Sequence, residues 1–180
     1  MLVVIGGLPG TGKTTIAQDV VRRSAGVVYL RIDVIEQAIR ASEVLAGDIG
    51  PAGYAAAYAL AGSNLGLGRD VIADCVNPLP VTRAAWRSVA EAAASPIIEV
   101  EIICSDIAEH RRRVEGRTGD IPGLVPPPWN AVLARRYEPW PGPRMVIDTA
   151  YSAAQDAASE ILAAMAASAT QPLSFPQPGR

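Results

Sequence analysis

Between an apolar run and a helical pattern, residues 7–14 read Gly7-Leu8-Pro9-Gly10-Thr11-Gly12-Lys13-Thr14. This spacing, Gly-x-x-x-x-Gly-Lys-Thr, restricts the fold more than any other feature of the chain. Its glycines let backbone N–H groups turn inward around anionic oxygens, and the helix that follows adds its positive N-terminal end. Lys13 is the sole lysine of the chain, and every other basic residue except His110 is arginine. The position therefore calls for a compact ammonium on a flexible stem, able to reach β- and γ-phosphates, rather than a planar fork. Thr14 supplies a hydroxyl suited to Mg²⁺. The context agrees: Leu2–Ile5 is a short apolar run rich in β-formers, and Thr15–Val21 has helical periodicity. Residues Gly7–Thr15 are expected to cradle a nucleoside triphosphate.

Strand and helix patterns alternate along the rest of the chain. Strands are expected at 2–5, 27–30, 70–75, 97–104 and 145–148. Helices are expected at 13–24, 34–41, 52–67, 81–93, 106–116, 129–137 and 153–167. Such alternation implies right-handed crossovers and a five-stranded parallel sheet with helices on both faces. Glu99 and Glu101 interrupt an otherwise apolar strand, so part of it should reach an edge or the solvent. Residues 116–128 hold three glycines and a triple proline, Pro126-Pro127-Pro128; they cannot continue a helix and read as a mobile lid over about 117–128. The proline-containing end, 169–180, reads as a disordered tail behind a single domain, 1–168.

At 180 residues the chain suits one domain with a full core. No apolar stretch approaches the roughly 20 residues of a membrane span, and no basic leader precedes the first strand. A net charge of −2 argues against broad affinity for nucleic acid. Cys75 and Cys104 stand in apolar runs without metal-ligand spacing, as buried free thiols of a cytoplasmic protein would.

Four further residues are candidates for chemistry. Asp33 follows the second strand, where ligands gather in an open parallel sheet, and there it can take the proton of an attacking hydroxyl. Its spacing from Glu36 also matches a helix-capping box, and both readings stay open. Asp74 ends the run Val71-Ile72-Ala73 and is a candidate for holding Mg²⁺, for contacting an acceptor, or for satisfying backbone donors at the strand end. Arg113 and Arg117, four apart in an arginine-rich helix beside the lid, suit stacking on a base and bridging phosphate oxygens. Arg111 and Arg112 point elsewhere and read as a solvated face. Arg135 and Arg136 are weaker candidates of the same kind. Asn77, Arg83 and Arg87 follow the third strand and offer a weak signal for an acceptor. Tyr54 and Tyr58 read as packing, and His110 as an ordinary surface or packing residue.

Taken in order, the glycine loop, Asp33, Asp74 and the Arg113/Arg117 pair resemble the small P-loop kinases of the nucleoside-monophosphate-kinase-like superfamily. Size and layout over residues 1–165 are similar to the chloramphenicol phosphotransferase and zeta-toxin group, often described only as AAA-family ATPases. The resemblance implies a three-layer P-loop NTPase fold and an ATP- and Mg²⁺-dependent transferase. Lys13, Asp33 and Arg117 would be its catalytic residues, Arg113 would stack on adenine, and Asp33 would be the general base. Polynucleotide kinases carry an arginine three residues after that base, where this chain has Glu36, which counts against a nucleic-acid acceptor. The expectation is a small-molecule hydroxyl kinase, monomeric or homodimeric. The alternatives are a nucleotide or nucleic-acid 5′-hydroxyl kinase and a nucleotide-dependent ATPase or switch module.

Overall fold

The apolar run before the glycine loop is strand β1 (Leu2–Gly6), and it lies at the centre of a five-stranded, all-parallel sheet. The computed structural model describes residues 1–42 and 47–169, so the expected tail from Thr170 onward lies outside the described residues. β2 (Val28–Arg31), β3 (Val71–Asp74), β4 (Ile97–Ile103) and β5 (Met145–Asp148) complete the sheet in the order β2-β3-β1-β4-β5. The helices are α1 (Lys13–Arg22), α2 (Ile32–Ala41), α3 (Ala52–Gly66), α4 (Pro80–Ala92), α5 (Ile107–Glu115), α6 (Trp129–Leu133) and α7 (Ala154–Ala169).

Alternation along β1 builds the two cores. Val3 and Ile5 face α1 and α7, packing with Ile16, Val20, Ile102 and Ile161. Leu2 and Val4 face the other way, against Ala57, Ala61 and Leu65 of α3 and Trp86 of α4. All four β1 side chains are fully buried. A strand covered on both faces has no polar side, hence the unbroken apolar run in the sequence. Among the described residues no helix is long and apolar enough to cross a membrane, and Cys75 and Cys104 are free and buried.

Among the boundaries that shift, three bear on the site and the tail. α6 ends at Leu133 rather than near Tyr137, and α7 continues to Ala169, the first residue of the expected tail. α5 stops at Glu115 with Gly116 as its C-cap, so Arg117 sits in coil rather than on the helix. The β4 glutamates half meet their expectation. β5 pairs with Val100–Ile103, which among the described residues leaves the 97–99 end of β4 with β1 as its only strand neighbour. Yet both carboxylates are largely covered, Glu99 paired with Arg87 and Glu101 with Arg144.

Arg83 is buried within α4 and has no access to a ligand. Its guanidinium donates to the carbonyls of Asn77, Pro78, Glu138 and Pro139 and lies 4.5 Å from the Trp140 ring centroid. It staples the 137–140 segment to the end of β3, and Arg87 is likewise spent on Glu99. Arg83→Met should lower unfolding free energy by about 3 kcal/mol or more, because four carbonyls lose their donor together. Denaturant titration measures it, and a change under 1 kcal/mol would sink the staple.

Candidate functional site

Only Gly7–Gly12 separates β1 from α1, so the loop wraps the sheet's carboxyl edge, where open parallel sheets bind ligands. Two glycines have steric reasons. A Cβ on Gly7 would collide with the Ile102 carbonyl oxygen, and one on Gly10 with Val114 of α5. Both also have φ in the range that disfavours side chains, +150° and +86°. Thr11 turns inward and donates to the Leu8 carbonyl, and its own carbonyl accepts from Thr149 Oγ1. His110 is buried and has Nε2 2.8 Å from the Pro9 carbonyl oxygen. Of the two expectations for this histidine, surface or packing, the structure gives packing, as a prop under the loop. A lone histidine on an arginine-rich helix carried no sign of a partner 101 residues away.

Two cavities open off this loop. One, of about 330 Å³, is bordered by Gly10, Gly12, Lys13, Thr14 and Thr15 together with Arg31, Arg113, Arg117 and Asp120. The other, of about 430 Å³, is bordered by Pro9, Lys13, Asp33, Glu36, Tyr54, Arg117 and Arg135, with Gly123–Pro127 over it. Lys13 and Arg117 border both. Lys13 is 4% exposed, and no carboxylate among the described residues lies within ion-pair distance of it. A buried ammonium without a counter-charge is costly, and an anionic ligand would relieve that cost. Gly7, Leu8 and Thr11, expected in the cradle, do not border the smaller cavity, and Pro9 borders only the larger.

Asp33 is not a cap. β2 runs straight into α2, Arg31 occupies the N-cap position without a side-chain cap bond, and Asp33 lies inside the first helical turn. No hydrogen bond or ion pair among the described residues engages its carboxylate, which leaves it available to a ligand in the larger cavity. Along the same face of α2 stand Glu36, Gln37 and Arg40, with Glu36 paired to Arg40 and its carboxyl pushed up by burial. Asp74 is 2% exposed at the end of β3, where its Oδ2 accepts a 2.8 Å bond from the Tyr29 hydroxyl. Its Oδ1 has no hydrogen bond among the described residues.

Magnesium keeps several waters and takes few protein oxygens beside phosphates. Thr14 offers a hydroxyl on the wall of the smaller cavity and Asp74 an oxygen without a hydrogen bond among the described residues, donor types that suit such an ion, although Asp74 borders neither cavity. Among the described residues, no group of three or more His, Cys, Asp or Glu converges as a protein-only metal site.

Arg113 is held rigidly. It donates to Glu109, to Thr149 Oγ1 and to the Thr149 carbonyl. Its guanidinium borders both the smaller cavity and a further space of about 290 Å³ beside Thr15, Ser152 and Ala153. Arg111 and Arg112 are exposed, paired with Glu115 and Glu109. Arg136 is exposed as well, whereas Arg135 borders the larger cavity. Arg31 and Asp120 were missed by sequence reasoning: an arginine closing a strand and an aspartate in a glycine-rich coil give no local sign that they meet.

A family model described as an AAA domain matches residues 2–126. No curated protein is significantly similar to the chain. Among solved structures, APE1195 is 25% identical with a TM-score of 0.69, the match covering 93% of this chain and 95% of that one. The Mycobacterium tuberculosis APS kinase CysC, solved with AMPPNP and APS, is 18% identical with a TM-score of 0.67, covering 92% and 96%. Kti12 of Chaetomium thermophilum, solved with ADP-AlF3, is 23% identical with a TM-score of 0.66, covering 91% and 98%. The fold is that of the P-loop kinases and related NTPases.

Proposed function

This chain belongs to the AAA domain family, and from that premise we propose that it is an ATP-dependent phosphotransferase acting on a hydroxyl of a small molecule. The observation that carries the proposal is the pair of adjoining cavities with Lys13 and Arg117 common to both. A hydrolase needs one nucleotide site and a water. A transferase needs a second site, opening onto the terminal phosphate and furnished with a base. The nucleotide complexes of CysC and Kti12 support nucleotide binding by the shared fold.

In this reading the loop N–H groups and the N-terminus of α1 bind the phosphates, and Lys13 neutralises charge at the β,γ bridge. Thr14 and Asp74 are the residues that would hold Mg²⁺, whose charge offsets that building on the phosphoryl oxygens. Asp33 accepts the proton of the acceptor hydroxyl as it attacks, so the developing alkoxide never carries full charge. Arg117 follows the transferring phosphoryl group from one cavity to the other. The coil 117–128 acts as the lid and excludes water, which would otherwise take the phosphate. Arg113, clamped by Glu109 and Thr149, offers a flat cation to the base.

A screen of hydroxyl compounds for ADP release tests the proposal, with nucleosides and a 5′-hydroxyl oligonucleotide as further arms. A small-molecule acceptor should raise release well above the acceptor-free rate in wild type and fail to do so in Asp33→Asn. Release that no acceptor raises would make the protein a hydrolase; release raised only by the oligonucleotide would move the acceptor to nucleic acid. The two arginines should separate kinetically. Arg113→Ala should raise KM for ATP about tenfold with little loss of kcat, whereas Arg117→Ala should chiefly lower kcat, by about 100-fold. Equal and negligible effects would reduce both to packing.

A further inference from the structure

Arg31 ends β2 beside the glycine loop, is 6% exposed, and borders the smaller cavity with Lys13 and Thr14. Its guanidinium grips Asp120 with both terminal nitrogens, at 2.5 Å and 2.9 Å. Asp74 Oδ2 is 3.9 Å from its Nε, which is buried and donates no hydrogen bond among the described residues. Asp120 sits in the coil after α5, and its carboxylate is also 3.7 Å from Arg117 Nη2. One lid carboxylate thus lies between two arginines that border the nucleotide cavity.

A carboxylate held bidentately presents two oxygens to a guanidinium much as a phosphoryl group does. Asp120 is poorly suited to a permanent place there, since its fixed charge would repel a triphosphate. Its side chain is 48% exposed and belongs to coil, so it can swing out, whereas Arg31 is anchored in the sheet. We propose that Arg31 is a binding residue for the terminal phosphate of the nucleotide, and that Asp120 fills its anion seat until that phosphate displaces it. The proposal rests on the nucleotide reading above and adds to it a fourth cation and a built-in competitor. Arg31 holds the Asp120 carboxyl down at about 2, so the competitor is charged across the working pH range.

Calorimetric binding of ATP and ADP to wild type, Arg31→Lys and Asp120→Asn tests it. Lysine keeps a charge beside Asp74 and loses the fork. Arg31→Lys should weaken ATP about tenfold and leave ADP within about twofold, the loss of one charge-assisted bidentate contact. Asp120→Asn should tighten ATP about fivefold, again sparing ADP, because a neutral amide competes poorly for two guanidinium groups. Unchanged ATP binding in Arg31→Lys, or equal losses for ATP and ADP, would overturn the role of Arg31. Weaker ATP binding in Asp120→Asn would make Asp120 a closing latch and overturn the displacement. Should Arg31→Lys fail to fold, Asp120→Asn decides alone, its side chain being half exposed. Wild type that binds neither nucleotide, with Lys13→Ala equally inert, would overturn the nucleotide reading itself and Arg31 with it.

Discussion

Lys13→Ala should lower phosphoryl transfer by about 100-fold or more while leaving the apo protein at least as stable as wild type. The two halves of this expectation have separate causes. Lys13 is the only lysine of the chain and borders both cavities, so no neighbouring ammonium can take its place at the transferring group. It is also buried without a carboxylate partner among the described residues, so removing it relieves a desolvated charge rather than breaking an ion pair. ATP binding should fall less than turnover, because the loop N–H groups and the N-terminus of α1 remain. Turnover, ATP affinity and a thermal melt on one preparation check all three. Turnover near wild type would remove the central claim, and a marked loss of stability would show that Lys13 serves the fold instead.

Asp33→Asn should cost acceptor phosphorylation about 100-fold or more with almost no change in stability. The sequence alone left a capping role open, and in that case asparagine would also have preserved the fold, because it caps about as well as aspartate. The structure closes that route: α2 begins at Ile32, and Asp33 makes no cap bond. Asp33→Ala therefore becomes informative too. Its stability cost should stay within about 1 kcal/mol, the loss of one carboxylate near a helix N-terminus. Basal hydrolysis is a poor readout, since water needs no general base in a loose transition state. A real acceptor is required. Lost stability with preserved specific activity would make Asp33 structural and move the base elsewhere, with Asp74 next in line despite its bond to Tyr29.

How much of the site was legible varied with distance along the chain. Gly7 through Thr15 sit next to one another, and their order encodes the turn, the helix start and the cation in one local pattern. Asp33 was a candidate by position alone, because a residue just past a parallel strand lands on the carboxyl edge whatever the loop does, and the structure puts it on the wall of the larger cavity. The joint recruitment of Arg113 and Arg117 was expected from helical spacing and arises differently. The helix ends at Glu115, yet the coil after Gly116 still delivers Arg117 to the same cavity. Arg83 misled for a reason of the same kind. An arginine near a binding edge reads as a ligand contact until a folded-back segment presents it with four carbonyls.

Local patterns, then, determined the parallel sheet, the glycine loop and the edge of the sheet on which the cavities open. Each depends on residues within one turn or one strand, and backbone geometry reads that spacing the same way in any context. Tertiary structure decided which charges meet. Arg31 reaches Asp120 across 89 positions, and Arg113 reaches Thr149 across 36. That Arg83 staples the chain and that Arg31 meets a carboxylate at a cavity wall followed from what the coil segments 134–144 and 117–128 brought within reach of their long side chains. No periodicity records that, because coil has none.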